Sequence, residues 1–311
     1  MFICFPFNNL SNKELHVELF NVSAPVEQFD LKKLLTGALS EDGIRDLQFD
    51  YYTPDQLNSL TRRFTKDINF SIFHINVRSL NANHDKLCSV LSCCNLKFDV
   101  IDLSEIWTTN IPFLSNIFYN YRSFFELPVN SKVGGVCIFV KNEINSVIRD
   151  DLKSGINNAN FENLWIELEL NKVKYYIGGY YRHPNTSLTD FSASVSASLD
   201  KVKNKKRVIC CGDFNANLCK YNSDKCTTEF VNEFLNHNFL PYSLLPTRVT
   251  QYSATAIDHL YCNINFNNNY FCKAGLLCSD ISDHCGNFMF FGSKTVRANL
   301  KDRPFIRLLN N

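Results

Sequence analysis

The chain has 311 residues, of which 45% are hydrophobic, 14% aromatic and 20% charged. Its 32 Lys and Arg nearly balance its 31 Asp and Glu, and the formal charge of +1 excludes a histone-like basic binder and a polyacidic tail protein. A nucleic-acid enzyme stays open, because a local basic face is enough for one. No apolar run approaches the roughly 18 residues that span a bilayer. The start, MFICFPFNN, has neither the basic segment nor the long apolar segment of a signal peptide. An intracellular, nuclear protein is the expectation. A chain of this length suits two domains or one large α/β layer structure, burying about 75% of its unfolded surface.

The 13 cysteines include no CxxC spacing, and the adjacent pairs Cys93-Cys94 and Cys210-Cys211 sit in apolar runs. This pattern reads as buried free thiols in a reducing compartment, not as a disulfide scaffold or a zinc module.

Taken in chain order, residues 1–66 are polar and weakly patterned and read as an N-terminal extension, with helix starts at Ser40-Glu41-Asp42 and Thr53-Pro54-Asp55. From Phe70 the character changes. Strands are predicted at 70–75, 98–103, 121–125, 135–140, 164–168, 173–178, 208–211, 257–262 and 286–291. Leu87, Val90, Leu91 and Cys94 mark one helix face. Phe191, Val195, Leu199 and Val202 mark a second, capped at Thr189 or Asp190, and Phe230, Phe234 and Leu235 mark a third. Residues 263–269 are rich in Asn and read as a loop, and 293–311 as a basic tail or the start of a linker. Strands alternate with helices in places and follow one another in others, so the expectation is a layered α/β protein with mixed sheets.

Polar residues cluster just past the ends of the apolar runs. Asn76 follows 72–75, Ser104-Glu105 follows 100–103, and Gly212-Asp213-Phe214-Asn215 follows 208–211. Asp258 lies on a short strand, and Ser282-Asp283-His284 stands just before the last one. Strand ends hold side chains rigidly along one edge of a sheet. Carboxylates, amides and a histidine gathered there suit metal-assisted hydrolysis of a phosphate ester. Glu105 would hold a hard cation, Mg²⁺ with Mn²⁺ as the substitute. A base would take the proton of water, and donors would meet the charge on phosphate oxygens.

The ordered motifs Asn76-Val-Arg-Ser-Leu80, Ser104-Glu105-Ile-Trp107, Tyr181-Arg-His-Pro-Asn185, Gly212-Asp-Phe-Asn215, Ile257-Asp258-His259 and Ser282-Asp283-His284 resemble the endonuclease/exonuclease/phosphatase superfamily. Within it the chain resembles the apurinic/apyrimidinic-type endonuclease domain of LINE-type non-LTR retrotransposons. Gly134-Gly135-Val-Cys-Ile-Phe-Val140, Pro246-Thr247-Arg248 and the lead-in Tyr52-Thr-Pro-Asp-Gln-Leu57 match that subgroup as well. The resemblance covers about residues 68–292 and implies a domain over 67–292 with the DNase I-like fold: a four-layer α/β sandwich of two mixed sheets flanked by helices.

It also implies roles. Glu105, with Asn76 and Asp283, matches the metal site. Asp213 matches the residue that orients or deprotonates the attacking water, and Asn215 its phosphate-holding neighbour. His284 matches the phosphate-contacting His and Asp258 the carboxylate that orients it. Tyr181 and Asn185 match contacts to the phosphate and leaving group. Arg78, Arg182, Arg248 and Tyr252 are DNA-contact candidates, the last two on a hairpin expected at 247–255. The chain departs from the family at Arg78, where repair-type relatives carry Asp, at Ile106 in place of Thr, and at His183 in place of Pro. Ile106 removes one supporting hydrogen bond to Glu105.

The implied function is a Mg²⁺-dependent endonuclease that nicks one DNA strand and leaves a 3′-hydroxyl, with DNA as partner and no membrane. An inactive remnant and a phosphomonoesterase of the same superfamily are the rivals. Relatives join this domain to a reverse transcriptase, which these 311 residues do not contain. A fragment, a split reading frame or a truncated copy is therefore expected. The basic run Lys201, Lys203, Lys205, Lys206, Arg207 reads as a solvated helix end, with a nuclear signal or a DNA contact as the alternative. His259 points to the face opposite Asp258 and reads as structural.

Overall fold

The structure is a computed structural model that describes residues 50–128, 133–154, 161–266 and 270–293. The helix start expected at Ser40 and the basic segment beyond Ser293 lie outside these residues. The first half comprises β1 (Tyr51–Tyr52), α1 (Pro54–Arg62), β2 (Ile68–Asn76), α2 (Leu80–Cys93), β3 (Val100–Ser104), α3 (Ile111–Asn116), β4 (Tyr121–Glu126), β5 (Val136–Lys141), β6 (Asn145–Ile148) and β7 (Phe161–Leu170). There follow β8 (Val173–Arg182), α4 (Leu188–Val202), β9 (Val208–Asp213), α5 (Lys225–Asn236), β10 (Leu240–Pro241), β11 (Arg248–Val249), β12 (Ala254–Thr255), β13 (Asp258–Cys262), β14 (Tyr270–Leu277) and β15 (Gly286–Ser293).

Two large sheets form. One has seven strands in the order β1-β14-β15-β2-β3-β5-β4, the other six in the order β10-β13-β9-β8-β7-β6. Both are mixed, since β2–β3 and β8–β9 pair parallel and most other neighbours antiparallel. Successive side chains of a strand point to opposite faces, and that two-residue period sorts the core. Phe70 and Ile72, Val100, Ile209 and Leu260 meet in the cluster between the sheets. Phe73 and Ile75, Ile101 and Leu103 turn outward and pack with Leu57, Leu80, Leu87 and Leu91 of α1 and α2. On the far side Tyr180, Val208 and Cys210 turn outward to Phe191, Val195, Phe230 and Phe234 of α4 and α5. Helix, sheet, sheet, helix: the four-layer expectation is borne out.

Local chemistry sets the helix ends. Thr53 and Gln56 form a reciprocal capping box at α1, with Pro54 in the first turn, where a missing N–H does no harm. α4 starts earlier than its apolar stripe indicates, because Ser187 accepts from the Asp190 amide at 3.3 Å. The thiols match the sequence reading: the described cysteines are free, and most are buried.

The domain boundary at residue 67 is corrected. β1 pairs parallel with β14 at the edge of the seven-stranded sheet, and the Tyr51 hydroxyl donates to Pro246 O at 2.8 Å. Leu57 is fully buried, and Phe64 stacks on Phe271 at 4.5 Å. Residues 50–66 are therefore part of the sandwich, hidden from sequence reading because their apolar residues are few and widely spaced. Strand β14 was also missed, since its run YFCKAGLL carries no alternation and follows an Asn-rich loop. A chain started at Asp67 is expected to lose the burial of Tyr51 and Leu57, on the order of 3–6 kcal/mol. Chemical denaturation of the two lengths checks this, and equal midpoints would contradict it.

Candidate active site

The inner-face rows that are apolar in mid-sheet turn polar at one end. Registers Asn76↔Ser104, Tyr181↔Asp213, Asp213↔Asp258 and Glu162↔Tyr181 bring these residues to a common edge. The carboxyl ends of β2, β3, β8 and β9 thus meet the amino ends of β7 and β13. Sequence-predicted residues scattered over more than 200 positions become neighbours here.

Asn76 is the bracket of the site. Its Nδ2 donates to Glu105 Oε1 at 2.9 Å and to Asp213 Oδ2 at 2.7 Å, while its Oδ1 accepts from the Arg78 amide at 3.0 Å. The donor side of the amide thus faces the carboxylates, and its oxygen carries one backbone N–H. Glu105 sits half-buried in a left-handed backbone conformation, φ 53°. Arg78, Ser79, Trp107 and Asn215 around it also have positive φ, a conformation that costs roughly 1–3 kcal/mol per non-glycine residue and gathers at functional sites. Backbone bonds Ser79 N→Glu105 O, Leu80 N→Ile106 O and Trp107 N→Gly134 O hold these loops. Ile106 is fully buried against Gly135, where an added Cβ would come within 2.7 Å of it.

Asp258 accepts from the Thr247 hydroxyl at 2.6 Å, and His284 Nδ1–H donates to the same oxygen at 2.8 Å. Ser282 steadies the loop by donating to Asn76 O at 2.6 Å and accepting from the His284 amide at 3.1 Å. Ligand atoms of Asp213, Asp258 and His284 all lie within 4.8 Å of one another. Their electrostatics diverge. Burial, aided by the neighbouring Asp258 charge, pushes Asp213 up to about 7. Burial also opposes charge on Asp258, yet the imidazoles of His284 and His74 hold it well below the usual carboxylate range. His284 is raised to about 9 by the carboxylates despite its burial. Two carboxylates at one edge thus differ in character, one poised near neutrality and one firmly ionised. Tyr181 is buried against Glu105, and its hydroxyl stays protonated because burial and the carboxylates raise it.

Other residues fall differently from expectation. Arg182 is corrected as a DNA contact: it is only 5% exposed, and its guanidinium donates to the carbonyls of Phe214, Thr186 and Asn215. Asn215 Nδ2 donates to Arg182 O at 2.6 Å, so this amide ties two loops together where a phosphate contact was expected. Asn185 is exposed in the turn before α4. Asp283 accepts from Arg78 Nη1 at 2.9 Å and from Arg248 Nε at 2.8 Å, one bond on each oxygen. Those arginines hold its carboxyl below the usual range in spite of burial. The hairpin at 248–255 is present as β11 and β12, with Tyr252 78% exposed at its tip. Lys203 pairs with Asp200, and Lys205 lies over the Tyr176 ring, as a solvated helix end does.

Glu105 fits a hard divalent cation: it is a half-buried carboxylate just past the end of β3, with the Asn76 amide on one oxygen. Sequence reading missed His74, Asp102 and Glu162, and assigned no role to Thr247. The signal for Asp102 was present, since 100, 102 and 104 share the inner face of β3.

The endonuclease–reverse transcriptase family matches residues 175–287. No curated protein matches the chain in sequence. Among solved structures, the fold is similar to the endonuclease domain of TRAS1, a telomere-specific non-LTR retrotransposon, with a TM-score of 0.56, 15% identity, and 72% of this chain and 98% of that one covered. It is similar to an AP endonuclease from Archaeoglobus fulgidus, with a TM-score of 0.55, 14% identity, and 71% and 98% covered. It is also similar to D. rerio TDP2 complexed with a single-strand DNA product, with a TM-score of 0.53, 16% identity, and 72% and 99% covered. These likenesses establish the fold, a two-sheet α/β sandwich, and the family match falls on its second half, from β8 to β15.

His259 is structural, as expected. It is fully buried on the outer face, and its Nε2–H donates to Ala216 O at 2.8 Å and Ala256 O at 3.2 Å. Burial lowers its pKa to about 4. The unfolded chain binds this proton near pH 6.5 and the native chain does not, so stability is lost as pH falls from about 6.5 towards 4. In His259→Gln, which retains a donor, thermal melts over that range should lose less stability than the parent. A parallel decline in both proteins would contradict the assignment.

Proposed function

We propose that the chain is a Mg²⁺-dependent endonuclease that hydrolyses one phosphodiester bond of duplex DNA and leaves a 3′-hydroxyl. The observation that carries this reading is the bracket of Asn76 between Glu105 and Asp213, with the His284–Asp258 pair beside it. Glu105 would hold the cation, which supplies positive charge for the phosphate oxygens. Asp213, poised near neutrality, orients a water and takes its proton as that water attacks phosphorus. His284, kept protonated and oriented by Asp258, donates Nε2–H to a non-bridging phosphate oxygen. The protonated Tyr181 hydroxyl offers a second donor.

Duplex DNA as substrate is supported by the rim. Arg78 and Arg248 lie beside the site with side chains 42% and 39% exposed, and Asp283 keeps both oriented until a phosphate takes its place. The hairpin carries Arg248 at its base and Tyr252 at its tip, a shape suited to entering a groove. The fold likeness to the TRAS1 domain supports a role in target-primed reverse transcription, with the new 3′-hydroxyl as primer and a reverse-transcriptase module as partner.

Supercoiled plasmid tests the reaction. Nicking should require Mg²⁺, stop in chelator, and fall about 10²–10⁴-fold in Asp213→Ala and His284→Ala. The nicked strand should then be extended directly by a DNA polymerase. Cleavage in chelator would refute the metal reading, no nicking would point to an inactive remnant, and release of terminal phosphate alone to a phosphomonoesterase.

Arg248→Ala should weaken DNA binding and flatten its logarithmic salt dependence by about 0.9, the share of one phosphate contact. An unchanged slope would remove Arg248 from the interface.

A further inference from the structure

One layer beneath the site, the inner face carries charges where apolar side chains are the rule. His74 and Asp102 are fully buried, paired in register on β2 and β3. His74 Nδ1–H donates to Asp102 Oδ2 at 2.7 Å, and Cys211 Sγ donates to that same oxygen at 3.3 Å. Across the gap between the sheets, His74 Nε2 faces Asp258 Oδ1 at 3.6 Å. The other Asp258 oxygen holds His284. Asp102, His74, Asp258 and His284 thus form one line from the core to the site, with alternating charge. Room for it is built in: a Cβ at Gly179 would come within 2.6 Å of Asp102 Oδ1.

Stability does not explain the line. A buried ion pair is often no better than well-packed hydrophobic residues of the same volume, and replacing one is often neutral or stabilising by about 1–4 kcal/mol. His74 Nε2 and Asp258 Oδ1 make no other hydrogen bond, and they stand 3.6 Å from each other. What the arrangement does achieve is orientation. Thr247 and His284 grip one oxygen of Asp258, and the fixed imidazole of His74 faces the other from the opposite sheet. The carboxylate plane, and with it the His284 ring, cannot turn freely.

We propose that His74 and Asp102 are positioning residues of the hydrolytic site, holding Asp258 from behind and through it setting the direction of His284. This rests on the endonuclease reading for its kinetic consequence but not for its structural one.

The test uses His74→Gln and the shape-conserving Asp102→Asn in the full chain. In Mg²⁺-dependent nicking, kcat should fall about 10–100-fold, as when the outer partner of a working histidine is removed, with DNA affinity held within about twofold of the parent. In a His284→Ala background the same changes should lower kcat no further, because both act through one group. Isotope-labelled histidine should show the His284 Nδ1–H resonance displaced in either variant. Equal losses in both backgrounds, or an unmoved resonance in folded protein, would overturn the proposal. Should the parent not nick at all, the endonuclease reading fails and the resonance alone decides the positioning. Should His74→Gln not fold, Asp102→Asn carries both readouts.

Discussion

The structure depends on one amide. Asn76 stands at the end of β2 in the seven-stranded sheet and donates to a carboxylate from each side of the sandwich, Glu105 and Asp213. Each sheet alone carries half of a site. The bracket fixes the distance between the halves, and it does so only because strand registers bring Asn76, Ser104, Asp213, Asp258 and Tyr181 to one edge. The two-residue period of β-structure is the deeper constraint: a slip of one residue in β2 would send Asn76 outward to the helices and Ile75 into the site.

Charge is then distributed by burial and neighbours. Four carboxylates stand close together, and each receives a different surrounding. Glu105 is half-buried, with the Asn76 amide on one oxygen and Tyr181 beside it. Asp213 is buried beside another negative charge and rises to about 7. Asp258 lies between imidazoles and stays ionised. Asp283 is shared by two arginines. On the proposed reading these become cation holder, base, orienting group and keeper of the DNA-binding arginines. One chemical group, the carboxylate, takes four surroundings because desolvation and local charge act on it in opposite directions.

Most of the scaffold was legible in the sequence. The nine predicted strands all occur, and the polar residues at their ends are the ones that meet. What was not legible has physical causes. Tyr51 and Leu57 are isolated apolar residues, the first buried by β14 more than 200 residues away and the second in the cluster of β2, β3 and α2, and no local pattern reports such contacts. Arg182 looks like a DNA contact in a motif, yet three backbone carbonyls claim its guanidinium. Asn76 and Asp283 lie at the expected site, but their hydrogen-bond partners there could not be read from the sequence, because they depend on which side of each residue faces which neighbour. His74 and Asp102 were hidden by the assumption that mid-strand positions are apolar.

On the proposed reading the cation binds at Glu105 and not at Asp283 or the Asp213–Asp258–His284 group. Manganese soaked into crystals can be located by its anomalous scattering. One strong peak is expected within coordination distance of Glu105, lost in Glu105→Gln and kept in Asp283→Asn. A peak on Asp283 with Arg78 and Arg248 displaced, or among Asp213, Asp258 and His284, would contradict it.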